Sequence, residues 1–145
     1  MKKLQLVVAL IAAVFAISNC NRSGTTGGDV AFAQNTFESL ARGDASVAER
    51  IDWAVFSSLG QNLGATYVTL SSDVEKEKFV NGFITQFATA FRESGGTVDG
   101  FTNWRVVSTD SQKTEVAADS SNGILTIIVS ERDGLERVSS INVVR

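Results

Sequence analysis

Few side chains in this sequence are able to do chemistry. The 145 residues include one cysteine, Cys20, and no histidine. Without an imidazole, neither a Cys/His nucleophile pair nor a Ser/His/Asp triad can be assembled, and the usual zinc sites are excluded for the same reason. The glycine pair Gly95-Gly96 follows a predicted helix, whereas a phosphate-binding loop precedes one. We therefore expect no metal and no cofactor, and the composition favours a protein that is not an enzyme.

Cys20 closes an apolar leader. Lys2 and Lys3 precede 14 residues that are mostly apolar, fewer than the roughly 20 that a membrane-spanning helix needs, so a cleavable secretory segment is favoured. The last four leader residues, Ile17-Ser18-Asn19-Cys20, resemble the lipobox of bacterial lipoproteins, with Asn19 where that family usually has Gly, Ala or Ser. The resemblance implies a signal peptide over residues 1–19 and an acylated (palmitate-bearing) Cys20. The alternative is an ordinary secretory leader that is cut nearby and leaves a free thiol.

The leader also predicts where the protein resides. Asn21 is not the aspartate that typically retains lipoproteins in an inner membrane, so the resemblance implies lipid anchoring in the cell envelope, on the periplasmic face of the outer membrane or at the cell surface.

Removal of the signal peptide changes the net charge of the chain. Loss of Lys2 and Lys3 reduces the 13 basic residues to 11 against 16 acidic, a formal charge of −5 that disfavours nucleic acid as a partner. Residues 20–29 are small and polar and predict a flexible tether, which leaves residues 30–145 as one domain.

Two helices are predicted at the start of the domain. Apolar residues at helical spacing predict the first helix, with Asp29 as its N-cap and Gly43 as its stop. Asp44 then caps a second helix that ends at Gly60 or Gly64. Its inner side carries Val47, Ala48, Ile51 and Phe56.

A short strand and a long helix follow. The β-branched and aromatic residues of Ala65 to Leu70 predict the strand. Ser72 and Glu75 have the spacing of a capping box, and Gly95-Gly96 ends the helix. Apolar residues recur along it at helical spacing: Phe79, Val80, Phe83, Ile84, Phe87 and Phe91. Such a stripe normally packs against a sheet.

The remaining chain predicts four strands. They are Phe101 to Thr109, Thr114 to Asp119, Ile124 to Glu131 and Leu135 to Val144. Asn122-Gly123 and Asp133-Gly134 supply the positive φ angles of tight hairpins, which predicts an antiparallel meander. The fold class is therefore α+β, with the element order ααβαββββ and the long helix packed on the sheet.

The chain resembles a known family at this point. Residues 37–44, FESLARGD, are similar to the F-x-x-L-A-x-G-D opening of NTF2-like and SnoaL-like domains, and the element order over residues 30–144 is also theirs. The resemblance implies a cystatin-like α+β cone: a curved sheet wrapped on the long helix and open over an apolar pocket. This superfamily contains enzymes and binding proteins, so the fold does not assign a function.

The resemblance also implies candidate site residues. Related enzymes set a carboxylate in an apolar pocket beside a tyrosine or a second acid, and the candidates here are Asp52 with Tyr67, then Glu115 and Asp99. No enzyme motif of the family matches these positions, so none is assigned as catalytic. The expected pocket residues are Trp53, Tyr67, Phe83, Phe87 and Trp104. The two tryptophans either fill the interior or form the floor of a pocket.

Strand alternation adds a further candidate. It places Trp104 on one face with Thr102 and Val106, and Arg105 on the other. Inside the cone Arg105 would bind an anionic ligand, and elsewhere it would be solvated or ion-paired.

Three functional hypotheses remain open from the sequence. The first is a non-catalytic domain, tethered to the lipid bilayer, that binds a small apolar ligand or an envelope protein. The second is a pocket enzyme of the isomerase or dehydratase kind, which uses a carboxylate and Tyr67. The third is a homodimer that pairs through the outer sheet face, for which Thr114, Val116, Ala118, Ile124, Thr126 and Ile128 are the strand-face residues.

Overall fold

The computed structural model describes residues 26–145, and their side chains from residue 28 onward. The predicted signal peptide, Cys20 and most of the predicted tether lie outside the described residues.

Helices pack on a curved, unclosed sheet of six strands, so the predicted α+β class is confirmed. The elements in chain order are α1 (Thr26–Arg42), a 3₁₀ helix (Ala45–Arg50), β1 (Ser57–Ser58), β2 (Gln61–Asn62), α2 (Leu63–Tyr67), α3 (Asp73–Glu93), a 3₁₀ turn (Val98–Gly100), β3 (Thr102–Thr109), β4 (Lys113–Ser120), β5 (Gly123–Arg132) and β6 (Leu135–Val144). The strand order is β2-β1-β6-β5-β4-β3. The predicted meander is present, but the sheet is mixed because β1 runs parallel to β6.

The long helix α3 forms as the sequence predicts. Ser72 accepts a hydrogen bond from the Glu75 N–H at 3.2 Å, and the Glu75 carboxylate accepts one from the Ser72 N–H at 3.1 Å. Val80, Ile84 and Ala88 are buried along the face that meets the core. The four phenylalanines of the predicted stripe, Phe79, Phe83, Phe87 and Phe91, are half-buried against the same core.

The first helix differs from the prediction at its beginning. It ends before Gly43, whose φ of +75° is readily adopted by glycine, as predicted. It begins at Thr26, however, within the range predicted as tether. Asp29 therefore lies inside the helix, only 3% exposed, and the prediction that it is the N-cap is wrong.

The chain between the first and the long helix also differs from the prediction. Asp44 does cap a helix, since its carboxylate accepts from the Ser46 N–H at 2.9 Å, but that helix is a single 3₁₀ segment. It stops because Ile51 forms a parallel bridge with Val138 of β6. The strand predicted from Ala65 to Leu70 is wrong, because most of it belongs to α2 and the turn that follows.

Local and distant contacts together account for α2. The Asn62 side chain accepts a hydrogen bond from the Ala65 N–H at 3.1 Å and caps the helix. Gly64 packs so closely on the backbone of residues 54–55 that a Cβ there would lie 2.6 Å from the Ala54 carbonyl oxygen. This packing overrides the β propensity of the segment.

The sheet has an inner face toward the helices and an outer face away from them. Alternate β5 residues Leu125, Ile127 and Val129 are buried on the inner face, and Ile124, Thr126 and Ile128 point outward. Of the six strand-face residues considered for a homodimer, three, Thr114, Val116 and Ala118, are fully buried on the inner face. The register accounts for this, because Thr114 pairs with Val129 and shares its face.

Candidate functional site

The predicted pocket residues lie in a continuous cluster of aromatic rings between the helices and the inner face. The Trp53 ring centroid lies 5.7 Å from that of Phe83 and 6.3 Å from that of Tyr67. The Phe83 and Phe87 centroids are 5.9 Å apart. Phe37 joins the two ends, with its centroid 6.4 Å from Phe87 and 6.1 Å from Trp104. The five residues are thus connected by ring contacts.

The polar atoms of both tryptophans are satisfied within the fold. Trp53 is 8% exposed, and its indole N–H donates to the Ala48 carbonyl oxygen at 2.9 Å. The indole N–H of Trp104 donates to the Phe101 carbonyl oxygen at 3.2 Å. Tyr67 is half-buried, and the Lys76 ammonium lies 5.6 Å from the centre of its ring. These contacts identify the rings as packing elements of the interior.

A polar cavity opens on the outer face instead. It has a volume of about 520 Å³, and we call it the outer groove. It is lined by Asp52, Val55, Ser57, Gln112, Lys113, Ile128, Ser130, Glu131, Arg132, Ser139 and Ser140. A second surface cavity of about 440 Å³ lies along α1, between Phe32 and Arg50.

A charged pair forms one end of the outer groove. The Asp52 side chain is 8% exposed, and its two oxygens lie 3.3 and 3.4 Å from Nη1 of Arg132. Arg132 is half exposed, so its guanidinium covers the carboxylate on the solvent side. The Asp52 backbone is fixed by its N–H, which donates to the Val138 carbonyl oxygen at 2.9 Å.

Hydroxyl groups cover the middle of the outer groove. The Ser57 hydroxyl donates to the Ser140 hydroxyl at 3.0 Å, which links β1 to β6. The Ser130 and Ser139 hydroxyl oxygens are 2.7 Å apart and link β5 to β6. A register shift beside Ile128 adds one residue to β6, so that Ser139 and Ser140 both line the groove. The groove therefore presents neutral hydrogen-bonding groups around an apolar residue.

The candidates for an enzyme are not brought together. Asp52 lines the outer groove, whereas Tyr67 packs against Trp53 and Phe79 on the helix side. Glu115 lies across from Ile128 on the outer face, where its carboxylate accepts from the Ser108 hydroxyl at 3.3 Å. Asp99 is exposed in the 3₁₀ turn before β3. The geometry provides no carboxylate–tyrosine pair around a common space.

Arg105 is ion-paired on the outer side of β3. Its Nη1 lies 2.9 Å from an Asp119 oxygen, and the Asn103 amide donates to the other oxygen at 2.8 Å. The hydrogen bond from Asn103, followed by that from Arg105, holds the pKa of Asp119 below its usual value of 3.8. Asn103 has a φ of +53°, and register shifts on both sides of Arg105 break the simple alternation expected for this strand.

Sequence reasoning missed most of the outer groove. The serines of β5 and β6 carry no motif, and their convergence depends on the register shift between the two strands. Arg132 could be noted only as a charge at the end of a strand. The one available signal was the presence of serines beside apolar strand residues: Ser130 follows Val129 in β5, and Ser139-Ser140 interrupt the apolar residues of β6.

Comparison with known proteins returns no relative: no protein-family model, no curated protein and no solved structure matches the chain. Among residues 26–145, no helix is both long enough and apolar enough to cross a bilayer. No group of three or more histidine, cysteine, aspartate or glutamate side chains in that same range is placed to hold a metal ion.

Proposed function

We propose that this protein is a lipoprotein of the cell envelope, acylated at Cys20, whose NTF2-like domain binds an envelope protein without turning over a substrate. The lipobox resemblance supports the anchor. The helices packed on a curved, unclosed sheet support the cone-like domain. The domain keeps its partner at the membrane surface, and the fatty acyl chains supply the membrane affinity.

The observation that carries the proposal is the contrast between the two faces of the sheet. The interior is occupied by the aromatic cluster, in which Trp53 and Phe56 are at most 8% exposed. The outer face carries the open groove. A protein partner is therefore favoured over a small apolar ligand.

The chemistry of the outer groove suits a protein partner. Its lining includes two acidic side chains, Asp52 and Glu131, and two basic ones, Lys113 and Arg132, so the groove is balanced in a chain that is acidic as a whole. Serine hydroxyls and one isoleucine lie between them. Protein interfaces have a polar rim and few charged residues at their centre, and the outer groove resembles this pattern. A second copy of the chain is the alternative occupant.

Two mass measurements test this function. In protein extracted from its native membrane, we expect the first residue to be Cys20 and to carry acyl chains; a free thiol or a different first residue would contradict the anchor. In native mass spectrometry of residues 20–145, we expect the domain to be free of bound small molecules. A co-purified apolar molecule would favour a ligand-binding interior instead.

A further inference from the structure

One hydroxyl group in the middle of the outer groove has a proton left to donate. Ser140 lines the groove and is 7% exposed. Its oxygen accepts hydrogen bonds from the Ser57 hydroxyl at 3.0 Å and from the Asn142 side-chain amide at 2.8 Å. The Asn142 amide is held in this orientation because its oxygen accepts from the Gly60 N–H at 3.2 Å. A serine oxygen accepts two hydrogen bonds and its proton donates one, so the Ser140 proton is available to an acceptor that enters the groove.

The guanidinium of Arg132 also has donors without a partner. Its Nη1 makes both contacts with Asp52, at 3.3 and 3.4 Å. A guanidinium carries its N–H groups on three nitrogens, and within residues 28–145 the other two nitrogens, Nη2 and Nε, form no hydrogen bond. Because Arg132 is 52% exposed, these donors can reach a molecule that occupies the groove.

Two further cations flank Ser130 on the outer face. Lys113 of β4 and Arg137 of β6 are both paired with Ser130 of β5, one on each side. Residues directly opposite each other in neighbouring strands lie on the same face, with their Cβ atoms about 5 Å apart. Neither side chain forms an ion pair with another of the residues from 28 to 145. With Arg137, this end of the outer face has three basic side chains, and the acidic ones that line the groove are Asp52 and Glu131.

Two carboxylates on this face are already engaged within the fold. Asp52 is covered by Arg132. Glu115, the next residue of β4 on the same face as Lys113, accepts from the Ser108 hydroxyl at 3.3 Å. The groups that are still able to form bonds are therefore mainly donors and cations. A segment that carries carbonyl and carboxylate oxygens satisfies them, whereas a basic segment would meet like charge.

We propose that the outer groove binds an acidic segment of the envelope protein, with a carboxylate between Lys113 and Arg137 and an acceptor oxygen of the same segment on the Ser140 hydroxyl. The inference rests on the proposed function, because it names the chemistry of that partner. Charge complementarity argues for this occupant. The chain as a whole has a formal charge of −3, so the cationic end of the groove is a local feature that attracts acidic groups and determines where they bind.

Crosslinking of the full chain in its native cells tests the inference. A benzophenone amino acid at Ile128 replaces an apolar side chain of the groove and leaves its donors in place. Lys113→Glu and Arg137→Glu are compared with Lys78→Glu, which reverses an exposed charge on α3. Lys113→Arg is the conservative variant. Equal urea midpoints of the purified variants show that each one is folded.

We expect Lys113→Glu and Arg137→Glu each to reduce the adduct with an envelope protein by about tenfold, because like charges that meet across an interface are strongly unfavourable. Lys78→Glu and Lys113→Arg should retain the adduct. An adduct that survives both reversals in the groove would overturn the inference and leave the proposed function intact. An adduct with the mass of two copies would also overturn it and identify a second copy of the chain as the occupant.

A peptide titration tests the inference even if no adduct forms in cells, a result that would contradict the proposed function. Hexaglutamate is added to the isotope-labelled chain of residues 20–145, which contains the whole described core, and hexaglutamine is the uncharged control. We expect hexaglutamate to shift the backbone amide NMR signals of Lys113, Arg137 and Ser140, and Lys113→Glu to abolish these shifts. No shift at the groove, or equal shifts with hexaglutamine, would overturn the inference.

Discussion

At one end of the outer groove, Arg132 meets both oxygens of Asp52 from a single nitrogen, at 3.3 and 3.4 Å. The two side chains differ greatly in exposure, with 8% for Asp52 and 52% for Arg132. The pair therefore shields a nearly buried carboxylate with a cation that remains in water. The consequences of removing each partner are unequal.

The first prediction concerns this pair. Arg132→Gln leaves the carboxylate of Asp52 nearly buried without its cation, and we expect it to lower the free energy of unfolding by about 1–2 kcal/mol, since solvent moderates the cost. Asp52→Asn leaves the arginine free to be hydrated, and we expect a loss of less than about 1 kcal/mol. Urea unfolding of both variants measures the difference. A larger loss for Asp52→Asn would contradict this account of the pair.

The second prediction compares two glycines. A Cβ at Gly64 would lie 2.6–2.9 Å from backbone atoms of Ala54 and Val55, which cannot move aside like the end of a side chain. Gly64→Ala is expected to cost about 2–3 kcal/mol through overpacking. Gly82 lies inside α3, and a Cβ added there would have no atom within 4 Å, so Gly82→Ala should stabilise by about 0.5–1 kcal/mol. Thermal unfolding of both variants should give shifts of opposite sign, and shifts of the same sign would refute the packing of α2.

The third prediction concerns pH. Hydrogen bonds from Asn103 and then Arg105 hold the pKa of Asp119 below 3.8 in the folded protein. Because the folded pKa is the lower one, the stabilising contribution is present above about pH 3.8 and is lost as the pH falls through the folded value. Asp119→Asn should therefore flatten the fall in stability below about pH 4 while leaving its slope near neutral pH unchanged. Urea midpoints across this range test it, and an unaltered acid slope would count against the Asp119 contacts.

The parts of the fold that the sequence predicts well are those with local signals. The capping box of Ser72 and Glu75 marks α3, and Asp133-Gly134, both at positive φ, marks the last hairpin. Residues 51–70 are mispredicted because distant contacts shape them. Ile51 leaves the helix to pair with Val138, and Gly64 packs on the backbone of a preceding turn.

The candidate site shows the same contrast between features set by local sequence signals and features set by distant contacts. Of the aromatic residues expected to line a pocket, Phe83 and Phe87 lie on one face of α3 because of their helical spacing, whereas Trp53, Tyr67 and Trp104 reach the same cluster from other elements. Spacing does not reveal whether converging rings leave a space, because that depends on how Phe37 and Trp104 meet them from other elements. The outer groove depends on a register shift between β5 and β6, and no local sequence pattern predicts that shift.

The most direct measurement of the central claim is site-specific photo-crosslinking of the full chain in its native cells. A benzophenone amino acid at Ser130, in the outer groove, is compared with one at Gln86, which is exposed on α3. We expect a discrete adduct with an envelope protein from position 130 and none from position 86. An adduct with the mass of two copies would identify a second copy of the chain as the partner. No adduct at position 130, or equal adducts at both positions, would contradict binding through the outer face.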